Sequence, residues 1–358
     1  MFKSLFLTIG LAQSKFYKIT DNEINSFEDR GVIPSSIPNF SNDISFALLA
    51  DPQFGMYNSA IDGGDGLDYQ DEFDNFELTM GKLDAMEPKL DFALILGDMT
   101  NQMPIGGFRG NNPHNKSEGY PGSHDIQAQA IIGLMDSVDL PIFVLPGNHD
   151  IGNDFNQTAL DTYERDFGLD YYYFKTEDAV FMNMEAEYFR SEFASMPEKT
   201  DEEWAWIERK FQDWSLDETI KKVFFNSHYA LFLEDVDEQK GTSWPKDNRD
   251  KLLELVEIYF NSINKPVYFY SGHTHTGGDT NEFMKNMNAV STTKILDDEG
   301  KAIGLEVAKH GGVRLVKSNQ DKVISEWFET SEIPGSYPAV DGAGMIGFGI
   351  LALIQFLI

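Results

Sequence analysis

Residues 140–153 read Leu-Pro-Ile-Phe-Val-Leu-Pro-Gly-Asn-His-Asp-Ile-Gly-Asn. Ile142–Leu145 is a short apolar run of the kind a buried strand needs, because both faces of such a strand touch other layers. Pro146 and Gly147 end it, since neither continues a ladder of hydrogen bonds. Asn148, His149 and Asp150 are therefore polar groups delivered to the carboxyl end of a strand, the edge at which open α/β sheets keep their chemistry. A polar turn after a strand is unremarkable by itself. The same order, a strand followed by ligand-type side chains, recurs four more times in this chain.

Those four are Ile44–Ala50 running into Asp51-Pro52-Gln53-Phe54-Gly55, Asp91–Leu96 into Gly97-Asp98, Lys222–Asn226 into Ser227-His228, and Val267–Ser271 into Gly272-His273-Thr274-His275. Helical spacing separates them. Phe73, Phe76, Met80 and Leu83 mark a helix over Phe73–Met86, and further helices are expected at Asp125–Ser137, Gln157–Phe167, Glu202–Ser215 and Asp247–Asn261. Tyr171–Lys175 and Ala179–Glu185 read as paired strands. Met56–Asp71, Asn101–His124 and Phe232–Glu238 read as long loops. Asn286–Phe328 is expected to be a run of antiparallel strands, with turns at Gly300, Gly304 and Gly311-Gly312. Strands alternating with helices, then consecutive strands, predict an α/β sandwich of mixed sheets. With no internal repeat or linker in sight, residues 43–330 are expected to form one domain, entered by a polar arm over 15–42.

The 358 residues include 28 Phe and 14 Tyr, enough apolar material for a large core. The net charge of −31 would repel nucleic acid and anionic surfaces, which argues against a polyanionic partner. Cysteine is absent, so disulfides, thiolate zinc sites and cysteine nucleophiles are excluded. Any metal would be held by nitrogen and oxygen donors, which suits Mn, Fe, Zn or Mg.

Met1–Ser14 carries Lys3, an apolar stretch Leu5–Ala12 and small residues around Gln13, the layout of a secretory signal peptide. Residues 331–358 form a linker and a tail. Met345–Ile358 is apolar apart from Gln355, and as a helix it would reach about 21 Å, short of the ~30 Å hydrocarbon core. Behind Asp341-Gly342-Ala343 it resembles a GPI-attachment signal, with a short membrane anchor as the alternative and a buried helix as the third reading. The chain is thus expected on the secretory route, at the cell surface or outside it, with a cytoplasmic location as the alternative. Triplets at Asn39, Asn115 and Asn156 would then be glycosylation acceptors.

Five strand ends, bearing four of the seven histidines, are better explained as one site than as five accidents. Two divalent ions about 4 Å apart need roughly seven ligands and a bridging carboxylate, and the set supplies that number with Asp98 as the natural bridge. The order Asp-x-Gln, Gly-Asp, Gly-Asn-His-Asp, His, Gly-His-Thr-His resembles the calcineurin-like metallophosphoesterases from about Ile44 to Phe328. The resemblance implies the metallo-dependent phosphatase fold, a four-layer αββα sandwich of two mixed sheets flanked by helices. It implies Asp51, Gln53, Asp98 and His275 around a first metal, and Asp98, Asn148, His228 and His273 around a second. It makes His149 the general acid, Asp150 the residue that orients it, and hydroxide on the metals the nucleophile.

Gln53 stands where most members have His. Asp-Pro-Gln-Phe-Gly, together with Gly-Asn-His-Asp-Ile-Gly-Asn and the stretch from His228 to Glu238, is similar to a branch regarded as Ser/Thr phosphoprotein phosphatases, in which Gln is the normal residue. Purple acid phosphatases are disfavoured, because Met99–Pro104 lacks the tyrosine ligand they need. The expected activity is hydrolysis of phosphate monoesters, phosphoserine and phosphothreonine among them. The alternatives are a phosphodiesterase acting on nucleotides or lipids, differing in loops such as Gly106–Pro121 and Phe232–Trp244, and a weakly catalytic metal-binding scaffold, against which stands the retention of every ligand.

Overall fold

Burial decides where the strands lie. The computed structural model describes residues 16–56, 58, 66–104, 122–153, 156–190, 196–233, 237–238, 243–275, 287–289 and 311–337. In chain order the elements are β1 (Ile44–Leu49), α1 (Gln70–Asp84), β2 (Phe92–Leu96), α2 (Ser123–Met135), β3 (Ile142–Leu145), α3 (Asn148–Ile151), α4 (Gln157–Asp166), β4 (Tyr172–Lys175), β5 (Ala179–Asn183), α5 (Pro197–Leu216), β6 (Lys222–Asn226), α6 (Lys246–Tyr259), β7 (Val267–Ser271), β8 (Met287–Ala289), β9 (Gly312–Ser318) and β10 (Val323–Glu329). They build two five-stranded sheets, ordered β10-β9-β1-β2-β3 and β4-β5-β6-β7-β8. β1, β2 and β3 run parallel, as do β5, β6, β7 and β8, while β9, β10 and β4 pair antiparallel.

Alternate side chains sort these strands into two cores. Phe46, Leu48, Phe92, Leu94 and Phe143 from one sheet meet Phe174, Phe181, Phe224 and Tyr270 from the other. Phe181 stands edge-on to Phe46 (5.2 Å between centroids) and Phe92 (5.1 Å) and stacks on Phe224 (4.5 Å). Each such pair is worth about 0.5–1.5 kcal/mol beyond the area it buries. The intervening residues, Ala47, Leu49, Ala93, Ile95, Val180, Met182, Val223 and Phe225, join the other core with helix residues such as Phe76, Met80, Ile131, Ile207, Phe211, Leu252 and Val256. Two mixed sheets face to face, flanked by helices, are the layers the sequence predicts.

The expected antiparallel run at 286–328 needs correction. β8 pairs with β7 in parallel, Phe269 opposite Met287, and extends the second sheet. A three-residue strand has too little periodicity to be read. Among the described residues of this run only β9 and β10 form a hairpin, and its turn lies at Asn319–Lys322, closed by Asn319 Oδ1 accepting from the N–H groups of Asp321 (3.1 Å) and Lys322 (3.0 Å). Gly312 belongs to β9, and Gly300 and Gly304 lie outside the described residues. The helix expected from Glu202 starts at Pro197, a residue pre-set for a first helical turn because its missing N–H would have no partner there.

The polar arm does more than lead in. Tyr17 N–H donates to Ile142 O (2.9 Å) beside β3, the edge of the first sheet. Further on, Val32 N–H donates to Tyr173 O (2.8 Å) and Tyr173 N–H to Arg30 O (3.1 Å), on the open edge of β4. The arm therefore covers an edge strand of each sheet, which removes two templates for aggregation. Arg30 anchors it with a buried ion pair to Asp170 (2.5 Å) and a guanidinium 3.6 Å from the Tyr171 ring centroid. The signal-peptide stretch and the apolar tail lie outside the described residues; among those described, no helix is long and apolar enough to cross a membrane.

Candidate metal centre

Five parallel strands from both sheets deliver the polar residues to one end of the sandwich. β1 brings Asp51 and Gln53, β2 Asp98, β3 Asn148, β6 His228, and β7 His273 and His275. Five of these residues hold a left-handed backbone: Asp51 (φ 53°), Gln53 (37°), Asp98 (55°), His273 (71°) and His275 (56°). Among the described non-glycine residues only Arg30 and Asn264 do the same. Each such residue costs about 1–2 kcal/mol, and such strain clusters where function requires it. Backbone bonds across the loops hold it in place: Asp51 N to Gly97 O (3.0 Å), Gln53 N to Asp98 O (2.9 Å) and Gly272 N to His228 O (2.9 Å).

Two glycines of the motifs are explained by crowding. Gly97 has φ 89°, and a Cβ there would lie 2.6 Å from Gly147 N and 2.7 Å from His228 Nδ1. A Cβ on Gly147 would run into Asp98 Oδ1. Only bare backbone lets β2 and β3 end this close together.

The donors fall into two groups that share Asp98: Asp98, His228 and His273, and Asp51, Asp98 and His275, each with atoms within 4.8 Å of one another. His228 Nδ1 donates to Leu96 O (2.8 Å), which leaves Nε2 facing Asp98 Oδ2 (3.3 Å), Asn148 Oδ1 (3.1 Å) and His273 Nδ1 (3.2 Å). So many lone pairs converging on one point call for a positive charge. Burial alone would lower the pKa of His228, but the Asp98 carboxylate outweighs it and carries the imidazole to about 10. Burial would likewise raise Asp98, yet His228 and His149 hold it well below the usual carboxylate range. Burial and then the neighbouring His228 push His273 well below an ordinary histidine. On the other side, Asp51 accepts from His273 N–H (2.9 Å) and lies 3.2 Å from His275 Nε2. Gln53 Nε2 donates to Asp98 Oδ2 (3.1 Å), while its buried Oε1 has no partner among the described residues. Nitrogen and oxygen donors, a shared carboxylate and an orphaned amide oxygen all fit two divalent ions.

His149 stands beside this set, half-buried between the buried Asn148 and Asp150. Its backbone N–H donates to Asp98 Oδ1 (2.8 Å), and its ring Nδ1 lies 2.6 Å from Asn101 O. A carbonyl can only accept, so Nδ1 carries a proton. Asp150, expected to orient this ring, accepts from Gly147 N (2.9 Å) and Thr100 N (3.2 Å). As the third residue of α3 it turns back to the helix start, as a capping box does, and stitches the loops that carry Asp98 and Asn148. Burial and the nearby Asp98 raise its carboxyl to about 8.

Three further residues carry no sequence signal. The Tyr229 ring packs on His273 with centroids 4.1 Å apart, and its hydroxyl donates to Glu187 Oε1 (2.5 Å). Arg190 donates to the same hydroxyl and lies 4.5 Å from the Tyr229 ring centroid. Of the loops expected to set specificity, residues 105–121 and parts of 232–244 lie outside the described residues.

The sequence model of the calcineurin-like phosphoesterase family matches residues 44–277. The serine/threonine-protein phosphatases CPPED1 of Pongo abelii and Homo sapiens are each 25% identical over 301 residues, covering 80% of this chain and 84% of theirs. The zebrafish CPPED1 (Danio rerio) is 21% identical over 309 residues, covering 85% and 90%. A dimetal phosphatase from Danio rerio has a similar fold, with a TM-score of 0.51 at 14% identity over 81% of this chain and 97% of that one. The matched span starts at β1 and ends two residues beyond His275, so it takes in every strand end described above. A metal-dependent phosphoric ester hydrolase, the chain belongs to the calcineurin-like phosphoesterase family.

Proposed function

We propose that the protein hydrolyses phosphate monoesters, phosphoserine and phosphothreonine among them, at a centre of two divalent ions. The observation that carries this reading is the pair of Asp/His groups joined through Asp98, with the backbone N–H of His149 donating to the same carboxylate. Asp51, Gln53, Asp98 and His275 would hold one ion; Asp98, Asn148, His228 and His273 would hold the other. When bound, such ions supply Lewis-acid charge for the phosphoryl oxygens and lower the pKa of a water enough to make a nucleophile at neutral pH. The chain supplies the rest. Asp98 balances charge on both sides, and His149, with Nδ1 engaged by Asn101, keeps Nε2 to pass a proton to the leaving oxygen. The phosphoprotein substrate class is supported by the CPPED1 relatives, named as serine/threonine-protein phosphatases.

Protein reconstituted with Mn should hydrolyse aryl phosphate monoesters and phosphoserine peptides faster than the matching diesters. Asp98→Asn should abolish turnover and weaken both ions, because the shared anion is lost while the shape is kept. A variant that turns over normally with two tight ions would overturn the site, and a parent that prefers diesters would overturn the substrate class.

A further inference from the structure

Helix α2 carries neither a ligand nor the acid, yet two of its buried side chains reach the loop that leaves β2. His124 and Gln127, three residues apart on α2, lie on the same face of it. His124 Nδ1 is 2.8 Å from Gln102 O and 3.2 Å from Thr100 Oγ1. Gln127 Oε1 accepts from two backbone N–H groups, those of Asn101 (3.1 Å) and Gln102 (2.9 Å), and its Nε2 donates to Gly66 O (2.7 Å). With both ends of the amide engaged, its orientation is fixed, since reversing it would set donor against donor. The fit is tight: a Cβ on Gly55 (φ 93°) would run into the Gln127 amide, so the glycine of Asp-Pro-Gln-Phe-Gly makes room for it.

The N–H of Gln102 and the C=O of Asn101 belong to one planar peptide and point in opposite directions. Gln127 grips the first; His149 Nδ1 meets the second. The plane cannot rotate to release the imidazole without breaking its bond to Gln127, and an accepted bond at its N–H also makes its carbonyl a stronger acceptor. We propose that Gln127 is a positioning residue for the proton donor: by clamping the Asn101–Gln102 peptide it sets the ring of His149. This rests on the reading of His149 as the acid.

The test compares an ester with a poor leaving group, phenyl phosphate, with one that needs no acid, 2,4-dinitrophenyl phosphate, using the full-length Mn-loaded protein. Gln127→Met should lower kcat on phenyl phosphate on the order of tenfold, a part of what a well-placed acid contributes. On the dinitrophenyl ester the loss should stay under about twofold, with two ions retained. Gln127→Glu keeps the accepting oxygen and should recover most of the phenyl phosphate rate. In ¹⁵N–¹H spectra of the protein loaded with diamagnetic Zn, the Nδ1–H signal of His149, expected downfield in the parent because of its carbonyl partner, should move upfield in Gln127→Met and hold its place in Gln127→Glu. Equal losses on both esters, while His149→Gln stays selective for the poor leaving group, overturn the positioning role alone. Loss of selectivity in His149→Gln itself overturns the acid and the clamp together. Should Gln127→Met not fold, the Gln127→Glu rates and spectra decide: a shifted Nδ1–H signal with an unchanged phenyl phosphate rate overturns the clamp.

Discussion

At the scale of one residue, Gln53 would determine how evenly two ions at the proposed centre are held. Its amide lies against the shared Asp98 carboxylate, and its oxygen is buried without a partner among the described residues. A neutral oxygen is a weaker donor than imidazole for Mn, Fe or Zn. Gln53→His should therefore lower the Mn concentration needed for half-maximal activity, and the left-handed backbone at 53 is one that His tolerates better than most residues. Gln53→Ala should raise that concentration and leave the second ion bound. Identical Mn requirements in all three proteins would remove Gln53 from the ligand set. The residues of the candidate centre were legible in the sequence because each offers its own side chain at a strand end. Asn101 was not, because it acts through a carbonyl that every residue possesses. Gln127 and Tyr229 were hidden for a different reason, since only the folded chain brings them to the site.

At the scale of elements, the end of β5 is tied to α5 by carboxyls. Glu203 Oε1 accepts from Glu185 N–H (3.0 Å), and Glu185 Oε1 accepts from Glu187 N–H (2.8 Å). Both Glu185 and Glu203 are fully buried; burial raises each well above the usual carboxylate range, helped at Glu185 by the charges of Glu203, Glu187 and Asp170 and at Glu203 by that of Asp170. The folded state keeps protons that the unfolded chain gives up near pH 4.5, so stability falls as pH rises from there toward the raised values. Glu203→Gln keeps the accepting oxygen and removes the titration. It should unfold at higher denaturant than the parent at pH 8, by on the order of 1–3 kcal/mol, with little difference at pH 4. A constant difference across that range would show that Glu203 is ionised when folded. Long periodic elements such as α5 and α6 were readable to within a few residues. α3 and β8 were not, because four and three residues carry no period, and neighbouring elements alone decide their state.

At the scale of the molecule, the layer order followed from alternating apolar runs, whereas the arm's task did not, because its polar residues give no sign of which edges they pair with. The reading of residues 1–14 as a secretory signal makes a prediction here. Asn39 and Asn156 are both exposed, and Asn156 uses only its Oδ1 to cap α4, through Thr158 N (2.9 Å) and Ala159 N (3.2 Å). Its amide nitrogen can then carry a glycan without uncapping the helix. Protein from a eukaryotic secretory host should show a mass shift that endoglycosidase removes. Unmodified protein that retains Met1 would overturn the secretory reading.

The arm also imposes an order of events on a growing chain. Arg30 is separated from Tyr171, whose carbonyl it binds, by 141 residues. At about 5–20 residues per second, on the order of ten seconds pass between the synthesis of the two. During that interval the arm has no Arg30 anchor, so once β3 is made Tyr17 can pair with its outer edge only without that anchor. The arm would then be secured only once Tyr171 is made, and co-translational aggregation would be decided at β3, by how firmly Tyr17 covers that edge before its anchor arrives.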